Sequence, residues 1–407
     1  GEWDSQHLIR EYNRNINSMY KSWTTAEPSA TGLFLEPYNA GFSYQGTGDF
    51  RDYKWDTYSA AFDGVNDYVD CRDELGDFLG DNYAGSLTIS MWFKAAVTNG
   101  DDGMFEIGPF AGAYGEINVS LASNHLRFKL NGGGWTRTAA FTDTASWHHL
   151  VCVYAVGSEA NSKMYLDGVV VGSAADTFPA ASDMDFAGLK TIIGAYSSSS
   201  YPFYGNIDEV AIWNSALSAA DISAIYNGGT PQSVASYSPL AWWRMGDAAV
   251  DYIGNGYGVI IDQMDTTLGS DLITNGDFAA DSDWTKGVGW TISDGVASSD
   301  GSQSASSDLY QNAGLDIYNT AYEVTFTVSN YSAGSVRAVV GGNAGGIWRS
   351  ANDTYTEKIA VWNGPNFYMQ ANSSFIGSID NVVVKKINGY AGAMKNMTAS
   401  DIVADTP

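Results

Sequence analysis

Cysteine is nearly absent: Cys71 and Cys152 are the two in 407 residues. That number excludes a disulfide scaffold and a four-cysteine zinc site. Cys152 sits in the apolar run LVCVY, which fits a buried free thiol, with a single bridge to Cys71 as the alternative. Positive charge is also scarce. Lys and Arg total 20 against 46 Asp and Glu, a net charge of −26. A nucleic-acid partner would lose phosphate neutralisation, its main source of affinity, and an anionic membrane surface is excluded for the same reason. Long apolar runs are missing, so no membrane-spanning helix is expected. Histidine is limited to His7, His125, His148 and His149, with no H-E-x-x-H pair, and there is no G-x-S-x-G, P-loop or dinucleotide fingerprint. Gly1 opens the sequence, with neither an initiating Met nor a signal-peptide pattern, so a processed or trimmed start is expected.

What is abundant points to β-sandwiches. Apolar residues make up 44% and aromatics 14%, with 45 Gly and 25 Tyr, while charged residues reach only 16%. This length suggests two or three domains whose surfaces are polar but weakly charged, which suits neutral glycans and divalent cations. From residue 58 short β-branched or aromatic segments alternate with Gly, Asn, Asp and Ser, the pattern of an antiparallel sandwich. Asp167-Gly168 reads as a hairpin turn. The segment GNIDEVAIWNSALSAADISAIYNGG (205–229) passes from strand to helix. Ser218 and Asp221 form a capping box, Ile222, Ile225 and Tyr226 give an apolar face, and Gly228 suits the stop, so a lid over a sandwich edge or end is expected.

The two ends of the chain differ from this pattern. Ile9, Tyr12, Ile16, Met19 and Trp23 fall at spacings of 3, 4, 3 and 4, a short heptad seam. It fits either a helix packed on its own domain or an assembly helix docked on a neighbour, followed by an extended arm to residue 57. The stretches NGYGVIIDQM (255–264) and NGYAGAMKNM (388–397) repeat Asn-Gly-Tyr and Met at equal offsets, and Ser270-Asp271 parallels Ser400-Asp401. The repeat flanks residues 271–387, as if a second domain had been inserted or duplicated there; chance similarity in a Gly/Asn-rich loop is the alternative.

The segments FDGVNDYV, TISMWFK, WHHLVCVY, KMYLDGVVVG, IGAY and IDEVAIWN, in this order, resemble laminin-G-like, concanavalin-A-like jelly rolls over about residues 58–230. The ends of 271–387, DLITNGDFAADSDW and FIGSIDNVVVKKI, resemble carbohydrate-binding modules of polysaccharide hydrolases. The expected organisation is all-β: two antiparallel jelly-roll sandwiches at 58–235 and 271–387, a helix and extended arm over 1–57, a connecting segment at 236–270, and a tail at 388–407. With WWRMGD and NMTASDIVADTP, the combination resembles structural or appendage proteins of tailed phages and surface proteins of bacteria.

In both families a structural Ca²⁺ commonly ties the first strand to the last, since hard oxygen ligands suit that ion. The resemblance therefore implies Asp63 and Asp208 as ligands in the first sandwich and Asp277 and Asp380 in the second. Both sandwiches place G-x-I-D at the start of their last strand; turn capping is the competing role for these aspartates. Sugars stack on aromatic faces. Tyr114, Trp135, Tyr196, Tyr201, Trp284, Trp348 and Trp362 lie in loop-like settings and are the candidates for glycan contact, whereas Trp92, Trp147 and Trp213 read as core. The E-x-D-x-x-E arrangement of the related glucanases is missing, which argues against hydrolysis. The expectation is a non-enzymatic, extracellular protein of a virion or cell surface. It would assemble with itself or with other surface proteins and present glycan-binding jelly rolls. A monomeric glycan-binding adhesin is the alternative and a polysaccharide hydrolase a remote one.

Overall fold

The computed structural model describes residues 58–109, 117–130, 135–174, 184–196, 201–245, 259–260, 262–316, 320–342, 344–361, 364–397 and 401–407. The proposed N-terminal seam (Ile9, Tyr12, Ile16, Met19, Trp23), Tyr114 and Trp362 lie outside these residues. The described chain forms two sandwiches of antiparallel strands, each with its own apolar core.

In the first sandwich, an eight-stranded sheet runs in the order Val169–Val171, Lys163–Leu166, His148–Tyr154, Leu87–Ala95, Tyr204–Trp213, Ser59–Asp63, Ile402–Val403, with Ala241–Trp243 also paired to Tyr204–Trp213. The facing nine-stranded sheet runs Ser173–Ala174, Trp135–Ala140, His125–Leu130, Ile117–Ala122, Asp101–Gly108, Lys190–Ile193, Tyr68–Asp70, Gly392–Lys395, Val259–Ile260. Alternate side chains such as Ile89, Phe93, Phe105, Val119 and Phe128 meet between the sheets, as the period of two requires. The Asp167-Gly168 turn has φ of 52° and 75°, the left-handed pair that a two-residue hairpin needs. Cys71 and Cys152 are both free and buried.

The tail and the connecting segment are strands of this same sandwich. Val259 faces Ala393 and Ile260 faces Gly392, so the repeated NGY segments lead into two neighbouring strands. The second sandwich is thus inserted between adjacent strands of the first. Near the chain end, Asp405 accepts from Trp147 Nε1 at 3.0 Å and from Lys94 Nζ at 3.0 Å, fastening the tail to the first sandwich.

The helix Ala219–Tyr226 begins at a complete capping box: Ser218 Oγ accepts from the Asp221 N–H, and Asp221 accepts from the Ser218 N–H. It ends at Asn227 with φ 49°, one residue before the glycine expected to stop it. The helix covers the outer face of the eight-stranded sheet and not an edge or end. Ile222 packs on Val151, Val153 and Tyr165, and Ile225 on Ala211, Trp213 and Trp242. Each isoleucine so buried stabilises the fold by about 1.5–3 kcal/mol. Tyr226 stacks with Trp92 and His149, and burial holds His149 down to about 3, so its ring is neutral.

The second sandwich pairs a six-stranded sheet with a five-stranded one. The former runs Trp290–Ser293, Val296–Asp300, Ile376–Ile387, Ala321–Ala333, Asp353–Ala360, with Leu268–Asp271 also on Ile376–Ile387. The latter runs Thr285–Lys286, Ser307–Asn312, Asn366–Ala371, Val336–Val340, Ala344–Gly345. Ser307–Asn312, Asn366–Ala371 and most of Ala321–Ala333 alternate between buried and more exposed residues, so one face of each sheet is partly open.

Candidate functional site

The two G-x-I-D segments share one backbone device. Asp208 Oδ1 accepts the N–H of Glu209 at 2.8 Å, and Asp380 Oδ1 accepts the N–H of Asn381 at 2.7 Å. The following residue is left-handed in both, with φ of 49° at Glu209 and 53° at Asn381. Each pairing register also slips there, between Asp208 and Ala211 in one strand and opposite Asp380 in the other. The aspartate therefore steadies a β-bulge in Tyr204–Trp213 of the first sandwich and in Ile376–Ile387 of the second. In the first sandwich Glu209 is buried beside Trp242 on the helix-covered side of the sheet, where Arg244 Nε donates to Oε1 at 3.0 Å and Trp242 Nε1 donates to Oε2. Glu209 and Arg244 are 4% and 3% exposed, a buried ion pair. Residues 242–244 are thereby tied to Tyr204–Trp213, and Trp243 Nε1 donates to the Tyr390 carbonyl.

Asp63 and Asp208 are not brought together. Asp63 faces Tyr204, and Asp208 lies four positions further along that strand, roughly 13 Å away at ~3.3 Å per residue. Asp208 is fully buried, a poor setting for a hydrated cation. Asp63 lies instead beside Asp67, which also has Asp401 nearby. Asp67 Oδ2 accepts the Asp63 N–H at 3.0 Å, and burial, with Asp63 and Asp401 nearby, pushes Asp67 up to about 6. In the second sandwich Asp277 Oδ1 accepts the Ala279 N–H at 3.4 Å, and the adjacent Gly276 carbonyl accepts from Val382 at 2.9 Å. Among the described residues no three His, Cys, Asp or Glu side chains converge as a metal site.

Among the predicted aromatic residues, Trp284 is 7% exposed and packs with Phe278 and Phe367 in the second core. It is therefore a core side chain, and its Nε1 donates to the Asn275 carbonyl at 2.9 Å. Tyr196 is 2% exposed and stacked on Tyr201 at 4.3 Å, while Tyr201 is 39% exposed. Trp135 opens the strand Trp135–Ala140 instead of lying in a loop. Trp348 is 39% exposed and belongs to a larger constellation.

That constellation occupies the outer face of the five-stranded sheet. Leu309, Phe367, Met369, Ala338 and Val340 point into the core, so the alternate residues face outward. The register aligns Asp308 with Gln370 and Gln370 with Arg337; one step along, Tyr310 aligns with Tyr368. Gln370 Nε2 donates to Asp308 Oδ1 at 3.0 Å, and Arg337 Nε and Nη2 donate to Gln370 Oε1 at 3.0 and 2.7 Å. The Tyr310 and Tyr368 rings lie 5.2 Å apart at 32°, and Asn366 Nδ2 donates to the Tyr368 hydroxyl at 3.1 Å. The Arg337 guanidinium sits 4.5 Å from the centre of the Trp348 ring. A side chain at Gly345 would collide with that guanidinium, its Cβ falling 2.5 Å from Nη1.

The loop bearing Trp348 is pinned from below. Glu357, 1% exposed, accepts from Arg349 Nη2 at 3.0 Å and from the Ile347 N–H at 3.3 Å. Arg349 in turn lies over Tyr355 at 4.5 Å and its backbone pairs with Val336. Rings and polar groups are thus fixed before any ligand arrives, which lowers the ordering cost of binding. Of this face only Trp348 was expected from the sequence. The available signal was the alternation in DLYQN and NFYMQ, where each strand offers a tyrosine flanked at two-residue spacing by amides or a carboxylate.

Residues 63–223 match the family model described as the concanavalin A-like lectin/glucanases superfamily. The first sandwich is a jelly roll of that type, as the laminin-G-like segments implied. No curated protein sequence matches the chain. Among solved structures, the chain is similar to a native heptameric pentraxin from Limulus polyphemus, with 14% identity and a TM-score of 0.32, over 43% of this chain and 85% of that one. It is also similar to the CBM40 of the Ruminococcus gnavus IT-sialidase, with 13% identity and a TM-score of 0.30, over 41% and 97%. A Trypanosoma rangeli sialidase aligns with 12% identity and a TM-score of 0.28, over 35% of this chain and 22% of the enzyme, so the chain spans less than a quarter of that protein.

Proposed function

We propose that this chain is a non-enzymatic glycan-binding protein of an extracellular surface, and that the outer face of the second sandwich is its binding platform. One observation carries the reading: three adjacent strands and one pinned loop bring Tyr310, Tyr368 and Trp348 together with the bonded Asp308–Gln370–Arg337 row on a half-exposed face. Aromatic faces accept the C–H-rich faces of pyranose rings, and the amide, carboxylate and guanidinium read hydroxyl groups. Asp308 is already bonded to Gln370 and has no second carboxylate beside it in the row, whereas glycoside hydrolysis needs a pair. A neutral polysaccharide is the ligand class that fits a −26 chain.

The affinity of one open platform is low, and display in many copies on a cell or virion surface multiplies it. Self-assembly through residues 1–57 belongs to this proposal, and a particle mass from light scattering tests it: a large regular assembly supports it, and a 43.6 kDa monomer removes it. The platform itself is tested by a glycan array followed by calorimetry on the full chain. Tyr368→Ala and Trp348→Ala are each expected to weaken the captured glycan at least tenfold, about 1.4 kcal/mol, with the thermal midpoint unchanged. Equal binding by wild type and both variants would remove the platform from the proposal.

A further inference from the structure

The outer face of the nine-stranded sheet holds an arrangement that the platform does not use. In the strand Ile117–Ala122, Ile117, Val119 and Leu121 enter the core, so Asn118 lies on the opposite face. The register sets Glu106 directly opposite it on one side and Lys129 on the other. Directly paired residues share a face, so an acid, an amide and an amine stand in one row across three adjacent strands. All three are sealed: Asn118 and Glu106 are 0% exposed and Lys129 is 4% exposed. Ile192, also buried, pairs with Glu106 and continues the row with an apolar side chain. Two residues along the strand, Ser120 pairs with Gly103, and Tyr196 covers that glycine so closely that a Cβ there would fall 2.5 Å from its ring.

The three groups are poorly matched to burial as separate side chains. Neither the amide oxygen nor the amide nitrogen of Asn118 has a hydrogen-bond partner, and a buried polar group left without one costs free energy. Burial lowers Lys129, with Glu106 opposing the shift from close by. The amine is thereby moved toward its neutral form, in which the nitrogen carries a lone pair and acts as a nucleophile. The amide carbon of Asn118 is the electrophile at the directly paired position. Cβ atoms of such a pair lie roughly 5 Å apart, a gap that a lysine side chain spans. Glutamate and lysine are long and asparagine is short, so the two outer side chains can meet above the middle one.

We infer that Lys129 and Asn118 join in an isopeptide bond, with Glu106 as the proton carrier. The Lys129 Nζ lone pair attacks Asn118 Cγ, and the Nζ–Cγ bond forms as the Glu106 carboxylate takes a proton from the amine. The Glu106 carboxyl then gives that proton to Nδ2, the Cγ–Nδ2 bond breaks and ammonia leaves. One amine and one primary amide become one secondary amide and one ammonia, with no oxidant, reductant or cofactor. Holding both groups on neighbouring strands replaces a bimolecular encounter with an intramolecular one. The sealed face keeps water from competing for Cγ. The product no longer buries an ionisable amine, and it ties the strands Ile117–Ala122 and His125–Leu130 together covalently.

The test is the mass of the full chain, unfolded before measurement. It should be lighter than the sequence requires by one ammonia. A succinimide at an Asn-Gly pair such as Asn131-Gly132 gives the same loss, so the position is read from tryptic peptides. Trypsin does not cut after an acylated lysine, and residues 95–127 and 128–137 should remain joined in one branched peptide. Asn118→Ala and Lys129→Met should each return these segments as separate peptides. In freshly synthesised chain, Glu106→Gln with unchanged circular dichroism should form the branched peptide at least about tenfold more slowly than wild type. A wild-type chain of full mass overturns the inference, as does a lost ammonia that maps elsewhere while trypsin cuts after Lys129. An unchanged rate in Glu106→Gln overturns the proton carrier.

Discussion

The two sandwiches handle their outer sheet faces in opposite ways. In the first, the strand Leu87–Ala95 is buried at all but one position, because the helix Ala219–Tyr226 and the segment around Trp242 cover the face turned away from the core. In the second, Ala321–Ala333 and Asn366–Ala371 alternate between buried and half-exposed residues, and nothing comparable covers the five-stranded sheet among the described residues. The difference separates two uses of the same residue types. A carboxylate on the covered sheet, Glu209, becomes an internal anchor for Arg244. A carboxylate on the open sheet, Asp308, keeps a side chain in reach of ligand while it orients Gln370.

The largest expected effect breaks the covered sandwich alone. Glu209→Ala takes the Glu209 carboxylate from the buried Arg244 guanidinium and the Trp242 Nε1, a buried-pair disruption worth up to about 3–5 kcal/mol. Calorimetry should show the first-sandwich transition falling while the second keeps its midpoint. A loss below about 1 kcal/mol would mean that the buried pair does not hold the bulge.

A smaller effect, of opposite sign, comes from Asp102. Its Oδ2 is buried without a partner, and burial, with Asp101 beside it, pushes the carboxyl up to about 6. A carboxyl raised on folding binds a proton more tightly in the native state, so stability grows as pH falls from above 6 toward 4. Asp102→Asn should stabilise the chain by about 1–2 kcal/mol at pH 7.5, and the gain should vanish near pH 4. A gain independent of pH would show that ionisation is not its cause.

The smallest effect concerns calcium, which we propose for the Asp63–Asp67 turn and not for Asp208. Asp63 at this turn is exposed, and a cation there would offset the charge that Asp63 and Asp401 add to the buried Asp67, whereas Asp208 is fully buried. Calcium at tenfold excess over its Kd should stabilise the first sandwich by about 1.4 kcal/mol, and Asp67→Asn should abolish the shift. A melting curve identical in calcium and in EDTA would rule this location out.

Local features were legible in the sequence because local forces decide them. The Ser218–Asp221 box, the Asp167-Gly168 turn and the period-two strands each follow from neighbours a few residues apart. The parallel between the two G-x-I-D segments was legible too. Its role as a bulge cap was not, since the register slip depends on the partner strand. Tyr196 and Trp284 looked like loop aromatics, and only packing shows them covered. The platform was hidden for a different reason. Tyr310 and Tyr368 are distant in sequence and meet because Ser307–Asn312 and Asn366–Ala371 become neighbours in one sheet.

The sequence by itself determined an all-β chain, two sandwiches and a capped helix, since composition and short-range periodicity suffice for these. Tertiary structure alone decided that the tail closes the first sandwich, that Glu209 meets Arg244, and that Arg337, Gln370 and Asp308 form one row. Each of these depends on strand order and register, which long-range hydrophobic burial selects and no short window of sequence contains.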